Sequence, residues 1–455
     1  MSNLKILFLD IYKNESFRIN KDVNGGFGTG NNYVGGFFTK LLAKYQKESI
    51  FWPPIYLASS MGVTKSFGHN CKYTTNLKDA NYNFDIFILS SSIVTCETEI
   101  KAIKFLRKFK VPILVIGPFA STCPKKYIKN GANVLIGEPD TALLSNPQIL
   151  NQLEIKGETI YPSNKPASIE ELPLPSWKEI FKHKKCVMGF LGSGYSLPIY
   201  ASRGCPYSCF NYCTYPLQQG RNLRHESIKR LVDQIEFYIK DLKVKSFLFR
   251  DPVFTINRKR VMDICKEIIR RKIKIVWGAE LHLKDIDNEL ASIMSQAGLR
   301  VVFVGIESIN PESIKKTKRQ NAPPDKQLSS IKILEQNGIS VKAMFIFGFP
   351  GDNLNNALKT INYALKLPIT YLQFSVFTPY PGTPIFKEYE NKITAHNYEQ
   401  YTQWDLVFNH DNLTNSDIKY LLNKSYKSFY FSFLRLLKIF FRITKIELRK
   451  KFGLF

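Results

Sequence analysis

The chain has 455 residues, enough for two or three domains with real cores, and its 44% hydrophobic and 22% charged content is that of a globular protein rather than a disordered one. A formal charge of +26 suits nucleic acid, an anionic membrane surface or an acidic substrate. Lysine far outnumbers arginine, and asparagine and isoleucine are abundant, so a lysine surplus spread over the whole surface accounts for the bulk charge and nucleic acid is not an expected partner.

The start, Met1 to Asp10, reads as a short strand with an acidic end rather than a secretory leader, and no run of 18 apolar residues offers a membrane span. Eight cysteines without a leader argue for a reducing, cytoplasmic compartment and against a disulfide framework. Over residues 1–145, the apolar strands Lys5–Asp10, Phe84–Ser90, Pro112–Gly117 and Val134–Gly137 alternate with amphipathic helices such as Glu97–Phe109. The alternation predicts a parallel, doubly wound, Rossmann-like sheet with its ligands at the carboxyl ends of the strands. Those ends carry Gly25-Gly26-Phe27-Gly28-Thr29-Gly30, Ser90-Ser91-Ser92, Gly117-Pro118 and Gly137-Glu138-Pro139. They are small enough for backbone to approach a large flat ligand, and equally readable as ordinary βα turns. Residues 146–195, broken by Pro162, Pro166, Pro173 and Pro175, predict an irregular linker.

A second βα series fills residues 196–390. Its strands are Pro198–Ser202, Lys245–Arg250, Ile273–Glu280, Arg300–Glu307, Val341–Gly348 and Tyr371–Thr378, and its helices are Glu226–Leu242, Arg258–Arg271, Asp285–Ala297, Asp325–Asn337 and Asn353–Leu367. Six such units predict a partial (βα)6 barrel of the TIM type, with its site at the carboxyl ends of the strands. Residues 391–455 predict a helical region ending in a basic tail.

Just after the first barrel strand the chain reads Ala201-Ser-Arg-Gly-Cys205-Pro-Tyr-Ser-Cys209-Phe-Asn-Tyr-Cys213-Thr-Tyr-Pro216. Three thiolates from one loop can hold three irons of a 4Fe–4S cubane and leave the fourth open, as catalytic metal sites do. Structural zinc would want a fourth ligand, yet neither Cys186 nor Cys265 sits in a second pair and His225 lies twelve residues beyond. A disulfide would leave one thiol over, and inert buried thiols are the blandest reading.

This segment resembles the signature of the radical S-adenosylmethionine superfamily, whose partial barrel the second series also resembles. The family spacing is C-x3-C-x2-C; here it is C-x3-C-x3-C. The resemblance implies Cys205, Cys209 and Cys213 as cluster ligands, a bulged loop near Phe210–Asn211, and Tyr212 against the adenine of S-adenosylmethionine. It also implies contacts to that cofactor from the strand ends: Arg250 and Asp251, Glu280, Gly305 and Glu307, Gly348 and Gly351. Each carboxylate reads equally as a salt-bridge partner, and Arg221 and Arg224 as partners of anionic groups or as solvated residues. The order of these stretches resembles the branch shared by tRNA methylthiotransferases, coproporphyrinogen oxidases and cobalamin-dependent members.

Ile116–Thr122 and Gly137–Asp140 resemble strand ends of the cobalamin-binding domain of cobalamin-dependent radical enzymes. That implies cobalamin held by Gly26, Gly28, Ser91, Ser92, Gly117, Gly137 and Glu138, without a histidine ligand, because the D-x-H-x-x-G motif is absent. The implied reaction removes hydrogen from an unactivated carbon and favours its methylation, with cyclisation or rearrangement as alternatives; no catalytic side chain is identified. A methylthiotransferase-like enzyme would need a second cluster, for which Cys71, Cys96 and Cys123 exist but none follows the first strand. A non-catalytic corrinoid or iron–sulfur carrier or sensor is the reading of another class. The tail places Arg435, Lys438, Arg442, Lys445 and Arg449 on one helical face beside Leu434, Leu437, Phe440, Phe441 and Leu448. It reads either as an interfacial helix at the inner membrane surface or as a docked helix with its lysines in water. Expected partners are a small-molecule or lipid-linked substrate and an electron donor such as flavodoxin or ferredoxin.

Overall fold

The computed structural model describes residues 3–13, 21–24, 44, 50–51, 53–157, 159–162 and 168–452. Two six-stranded parallel sheets dominate. The first holds β1 (Lys5–Leu9), β2 (Asn70–Thr74), β3 (Ile86–Ser90), β4 (Ile113–Ile116), β5 (Asn133–Leu135) and β6 (Ile160–Tyr161) in the order β2-β1-β3-β4-β5-β6. Strands β3 and β4 are apolar and buried at every position, as strands covered on both faces must be. The order reverses between β1 and β3, which makes that crevice the switch point where ligands of such sheets sit.

Strand bounds fall within one to three residues of those expected, and the helix expected at Glu97–Phe109 runs Cys96–Leu106 before a 3-10 turn. Two elements are not legible in the sequence. Strand β2 carries exposed Asn70 and Lys72 because it forms the sheet's edge. Helix α1 (Ile55–Ser66) is buried from Ile55 to Thr64, so it has no polar face to betray its period. The stretch 146–195, expected to be irregular, supplies β6, which pairs with β5, and a short helix, Trp177–His183, with Trp177 fully buried. Its prolines fall between these elements rather than inside them.

The second sheet holds β7 (Ser196–Ile199), β8 (Ser246–Phe249), β9 (Val276–Glu280), β10 (Leu299–Glu307), β11 (Ser340–Phe347) and β12 (Tyr371–Val376), each parallel to the next in chain order. This is the curled succession of the expected partial barrel. Helices α2 (Ile228–Leu242), α3 (Arg258–Arg270), α4 (Asn288–Gln296), α5 (Pro324–Gln336) and α6 (Leu354–Lys366) separate the strands. Three start later than expected because Ser227, Asp287 and Asn353 serve as N-caps, accepting from the N–H groups of Arg230, Leu290 and Asn356. On β11, Lys342, Met344 and Ile346 alternate with fully buried Val341, Ala343, Phe345 and Phe347, so one face lines the lumen and the other meets the helices.

Residues 391–413, expected to be helical, form loops with two 3-10 turns and a bridge between Ile393 and Phe408. Helix begins only at α7 (Asn415–Tyr430), where Thr414 and Asp417 form a capping box, and continues in α8 (Phe433–Phe452). The phenols of Tyr426 and Tyr430 bond the Phe374 and Leu372 backbone, giving the edge strand β12 partners where a further strand would lie.

Candidate active site

A cavity with about 1190 Å3 of atom-free space opens at the carboxyl ends of the barrel strands. Cys205, Cys209 and Cys213 line it together with Tyr212, Glu280, Gly305 and Glu307. The loop that presents the cysteines leaves β7 through Ser202–Arg203, which pairs with Arg224–His225. Gly204 has φ +90° and an added Cβ would collide with the Asn222 carbonyl, so glycine is required before Cys205. The expected bulge is a tight turn. The Cys209 carbonyl accepts from Tyr212 N–H at 3.1 Å and from Cys213 N–H at 2.9 Å, and Ser208–Asn211 is a 3-10 segment. The extra residue therefore puts Cys213 one helical turn beyond Cys209, on the same side of the loop.

The thiols differ sharply. A hydrogen bond from Cys213 holds Cys209 down to about 6 against its burial, helped by Arg319, whose Nη1 lies 3.8 Å from the sulfur. That same bond and burial push Cys213 far up, and burial raises Cys205. Among the described residues no three His, Cys, Asp or Glu side chains converge on a single ion. A cluster asks for something else, because each thiolate binds a different iron. Three cysteines on one loop, one with its thiol lowered and a guanidinium beside it, fit that demand.

Arg319 is the residue sequence reading missed. Its Nη2 donates to the Gly305 carbonyl at 2.7 Å, its Nε to Asn321 at 3.2 Å, and it lies 3.7 Å from Glu307. Glu307 ends β10 in the left-handed region at φ +66°, where the register with β11 shifts. Burial pushes its carboxyl up to about 7. A Cβ on Gly305 would strike the Glu307 carboxylate, so the glycine makes the room this turn needs. Tyr212 stands edge-on to Phe349 and Phe377, with ring centroids 5.3 and 6.4 Å away. Glu280 is buried, bonded by Arg250 and by Tyr215 Oη at 3.0 Å to each oxygen. Lys342 lies one register level below Met344, beside Phe303, which lines the cavity; burial pulls its ammonium down to about 8.

Four residues expected around S-adenosylmethionine do not line the cavity. Asp251 accepts from Ala201 N–H at 2.8 Å and Ser202 Oγ at 2.6 Å, so it staples the start of the cysteine loop. Arg250 stands behind Glu280 as its ion-pair partner. Gly348 donates its N–H to Asp352 at 3.1 Å, and Gly351 packs at Glu312 and Lys316. These two glycines have φ of +77° and +82°, which the turn after β11 requires.

The two sheets meet at their carboxyl ends. Arg203, on the cysteine loop, bonds both oxygens of Asp140 at 3.0 and 2.6 Å, and Arg224 bonds Glu138 at 2.7 and 3.1 Å. The Glu138 carboxylate is thus an inter-sheet ion pair, and Arg224 is bound to it rather than solvated. Arg221 donates to the Pro206 carbonyl at 2.5 Å. Gly26 and Gly28 lie outside the described residues. Ser91 Oγ accepts from Ala120 N–H at 2.9 Å, while Ser92 Oγ is buried with no hydrogen-bond partner among the described residues. Gly117 and Gly137 have φ of +110° and +83° and keep the turns after β4 and β5 free of side chains. The β1/β3 switch point itself is filled by Lys21, whose ammonium reaches the Ile11 and Ser90 carbonyls, Asp10 and Glu99 within 3.4 Å. No signal in the sequence marks Lys21, because its partners lie 10 to 78 residues away. Cys71, Cys96 and Cys123 form no ligand set among the described residues, and burial raises each thiol.

Residues 199–364 match the model of the radical SAM superfamily. The chain is 31% identical over 267 residues to an uncharacterized methyltransferase, PH0819, of Pyrococcus horikoshii, covering 58% of this chain and 56% of that protein. It is 26% identical over 215 residues to the bacteriochlorophyllide d C-12(1)-methyltransferase of Chlorobaculum tepidum, covering 47% and 46%. The chain thus spans about half the length of these curated relatives. Among solved structures it resembles the radical S-adenosylmethionine methyltransferase TsrM of Kitasatospora setae, solved with cobalamin and a [4Fe-4S] cluster bound, at a TM-score of 0.64 over 94% of this chain and 88% of that one; at 12% identity this is a likeness of fold. With the cysteine loop and the barrel in agreement with that match, residues 199–364 form a radical SAM domain.

Proposed function

We propose that the protein is a cobalamin-dependent radical S-adenosylmethionine enzyme that methylates an unactivated carbon, with cyclisation or rearrangement as variants of the same chemistry. The supporting observation is that three cysteines of one loop line the same cavity as Tyr212, Glu280, Gly305 and Glu307. When bound, a 4Fe–4S cluster supplies the electron that opens S-adenosylmethionine, and cobalamin supplies a methyl group. The protein's part is to hold and shield. Cys205, Cys209 and Cys213 ligate the cluster, and Arg319 keeps Cys209 ready as a thiolate. Tyr212, Gly305, Glu280 and Glu307 contact S-adenosylmethionine. Glu280 is oriented for this by Arg250 and Tyr215. Phe303, Met344, Ile346 and Phe377 give the cavity a dry wall. Ser91, Ser92, Gly117 and Gly137 contact cobalamin, without a histidine ligand.

We assign residues 1–161 to the cobalamin-binding unit, 162–195 to the connection, 196–390 to the barrel and 391–455 to the C-terminal region, helical from Asn415. The substrate is a small or lipid-linked molecule, the reductant a flavodoxin or ferredoxin, and the location cytoplasmic with peripheral contact at the inner membrane surface. Among the described residues no helix is long and apolar enough to cross a membrane.

Anaerobic reconstitution with iron, sulfide and hydroxocobalamin tests the reading. One cluster and one corrinoid per chain, with 5′-deoxyadenosine formed on reduction, is the expected result. Two clusters and no corrinoid would replace it with a methylthiotransferase-like enzyme. Cofactors bound without 5′-deoxyadenosine would leave a carrier or sensor.

A further inference from the structure

Helix α8 is docked the wrong way round for a helix bathed in water. Arg435, Lys438 and Arg442 face the barrel. Arg435 donates to the Leu365 carbonyl at 2.5 Å and Lys438 to the Pro368 carbonyl at 2.6 Å. Arg442 reaches the Glu335 carbonyl at 2.8 Å and its carboxylate at 2.9 Å. Leu365 and Glu335 lie in the last turns of α6 and α5, so these cations satisfy carbonyls at the negative ends of two helices. Ile446 plugs the barrel floor among Met188, Leu191, Leu248 and Phe303.

The opposite face of α8 is apolar and open. Phe433 is 72% exposed, Leu434 76%, Phe440 63%, Phe441 64% and Phe452 61%. A helix that docks through arginines and leaves its phenylalanines outside forgoes the burial that ordinarily drives docking, roughly 1.5–3 kcal/mol for each large side chain. The ridge is convex and helical. Exposed Lys445 and Lys451 stand on it, and exposed Lys243, Lys245, Lys272 and Lys274 stand on the loops that enter β8 and β9. The carboxylates near these loops are already paired: Asp241 with Lys178, Glu267 with Arg270, and Glu236 with Arg271. Glu447 is turned inward onto Ser193.

We propose that this floor of the barrel is a docking surface for an anionic lipid bilayer: the Phe and Leu ridge of α8 enters the acyl boundary and the lysines around it meet the headgroups. This deepens the peripheral contact proposed above by assigning it to one face. The contacts of α8 fall at the amino ends of the strands: Lys450 bonds the Ser193 carbonyl at 2.7 Å, and Gly338, just ahead of β11, packs at Arg442. The cavity opens at the carboxyl ends, on the other side of Phe303, which borders both the cavity and the cluster around Ile446. The cavity mouth therefore faces water while the floor rests on lipid. Substrate enters from the aqueous side.

The test is cosedimentation of the full-length reconstituted protein with vesicles of phosphatidylcholine alone or mixed with phosphatidylglycerol, at low and high salt. Expected is binding to the anionic vesicles that weakens with salt and falls at least 10-fold in Phe440→Asp/Phe441→Asp, with cluster iron and 5′-deoxyadenosine formation unchanged. A wild-type protein that stays in the supernatant at low salt, or a double variant that binds like wild type, would overturn the proposal. So would a wild-type dimer that the double variant converts to monomer with no uptake by lipid, since a second copy would then cover the ridge. A Phe440→Trp probe is expected to be quenched by brominated lipid and a Tyr207→Trp probe at the cavity mouth to be spared; quenching of the second would overturn the orientation. Lipid binding is read without cofactors, so a protein that binds vesicles yet forms no cluster fails the enzyme reading alone.

Discussion

The barrel and the first sheet meet at their carboxyl ends, yet they handle buried charge in opposite ways. The barrel turns it toward a cavity: Arg319, Glu307, Glu280 and a lowered Cys209 thiol share one wall. The first sheet turns it inward, with Lys21 closed on Asp10 and Glu99, and Asp140 closed on Arg203. Charge left facing a cavity is available to a ligand, whereas charge satisfied within the protein only sets shape. The barrel end is thus equipped for chemistry. Among its described residues the first sheet offers a ligand the bare turns at Gly117 and Gly137 and the hydroxyls of Ser91 and Ser92.

The sharpest break of this contrast is Cys213→Ala. Removing one of three thiolates should abolish the cluster and lower 5′-deoxyadenosine formation more than 100-fold, as read by iron per chain and product analysis. A variant that retains a full cluster would take Cys213 out of the ligand set. Next is Arg203→Met, which leaves Asp140 buried without its cation. Burial would raise that carboxyl, and it is the charge and hydrogen bonds of Arg203 that hold it below the ordinary carboxylate range. Breaking such a buried pair should cost about 3–5 kcal/mol in urea unfolding, and adding Asp140→Asn should recover part of it. An unchanged midpoint would mean the two sheets are not coupled there.

The architecture was legible because period and turn chemistry carry it. Alternating apolar strands and capped amphipathic helices predicted both parallel sheets, and the three cysteines stood out by spacing alone. What stayed hidden depended on distance in sequence. Arg319 sits in a lysine-rich stretch, 110 residues from the cysteine it neighbours. Asp251 and Glu280 look alike at strand ends, yet one staples Ala201 and the other meets the cavity. Glu138 resembled a cofactor contact because an acidic residue after a glycine turn does not say which arginine will reach it. The tail's two stripes were visible, but which stripe faces the barrel depends on the α5 and α6 carbonyls, and those are placed only by the fold.

A milder test uses pH. Burial raises Glu307 from 4.5 to about 7, so the folded protein without cofactors holds this proton over a window in which the unfolded chain has released it. Its contribution to stability is full below about pH 4.5 and is lost as pH rises toward 7, a change of about 3 kcal/mol at most. Glu307→Gln should remove that share of the slope, seen as a smaller fall in urea midpoint between pH 5 and 7. An identical slope would mean Glu307 is already ionised in the fold.

Ser92→Ala gives the smallest change in stability and the most direct question about the first sheet. The hydroxyl is buried and has no hydrogen-bond partner among the described residues, so it costs desolvation and returns nothing to the fold. Alanine there should shift stability by less than about 0.5 kcal/mol, and upward if at all. A corrinoid that bonds the hydroxyl would lose that bond, so cobalamin affinity should drop about 5- to 10-fold while iron content and the urea midpoint hold. A clear destabilisation would give the hydroxyl a structural partner. Unchanged cobalamin affinity would take Ser92 out of the contacts and leave, among the described residues, Ser91 and the glycine turns, the end point of the contrast between a barrel that exposes its charge and a sheet that keeps its own.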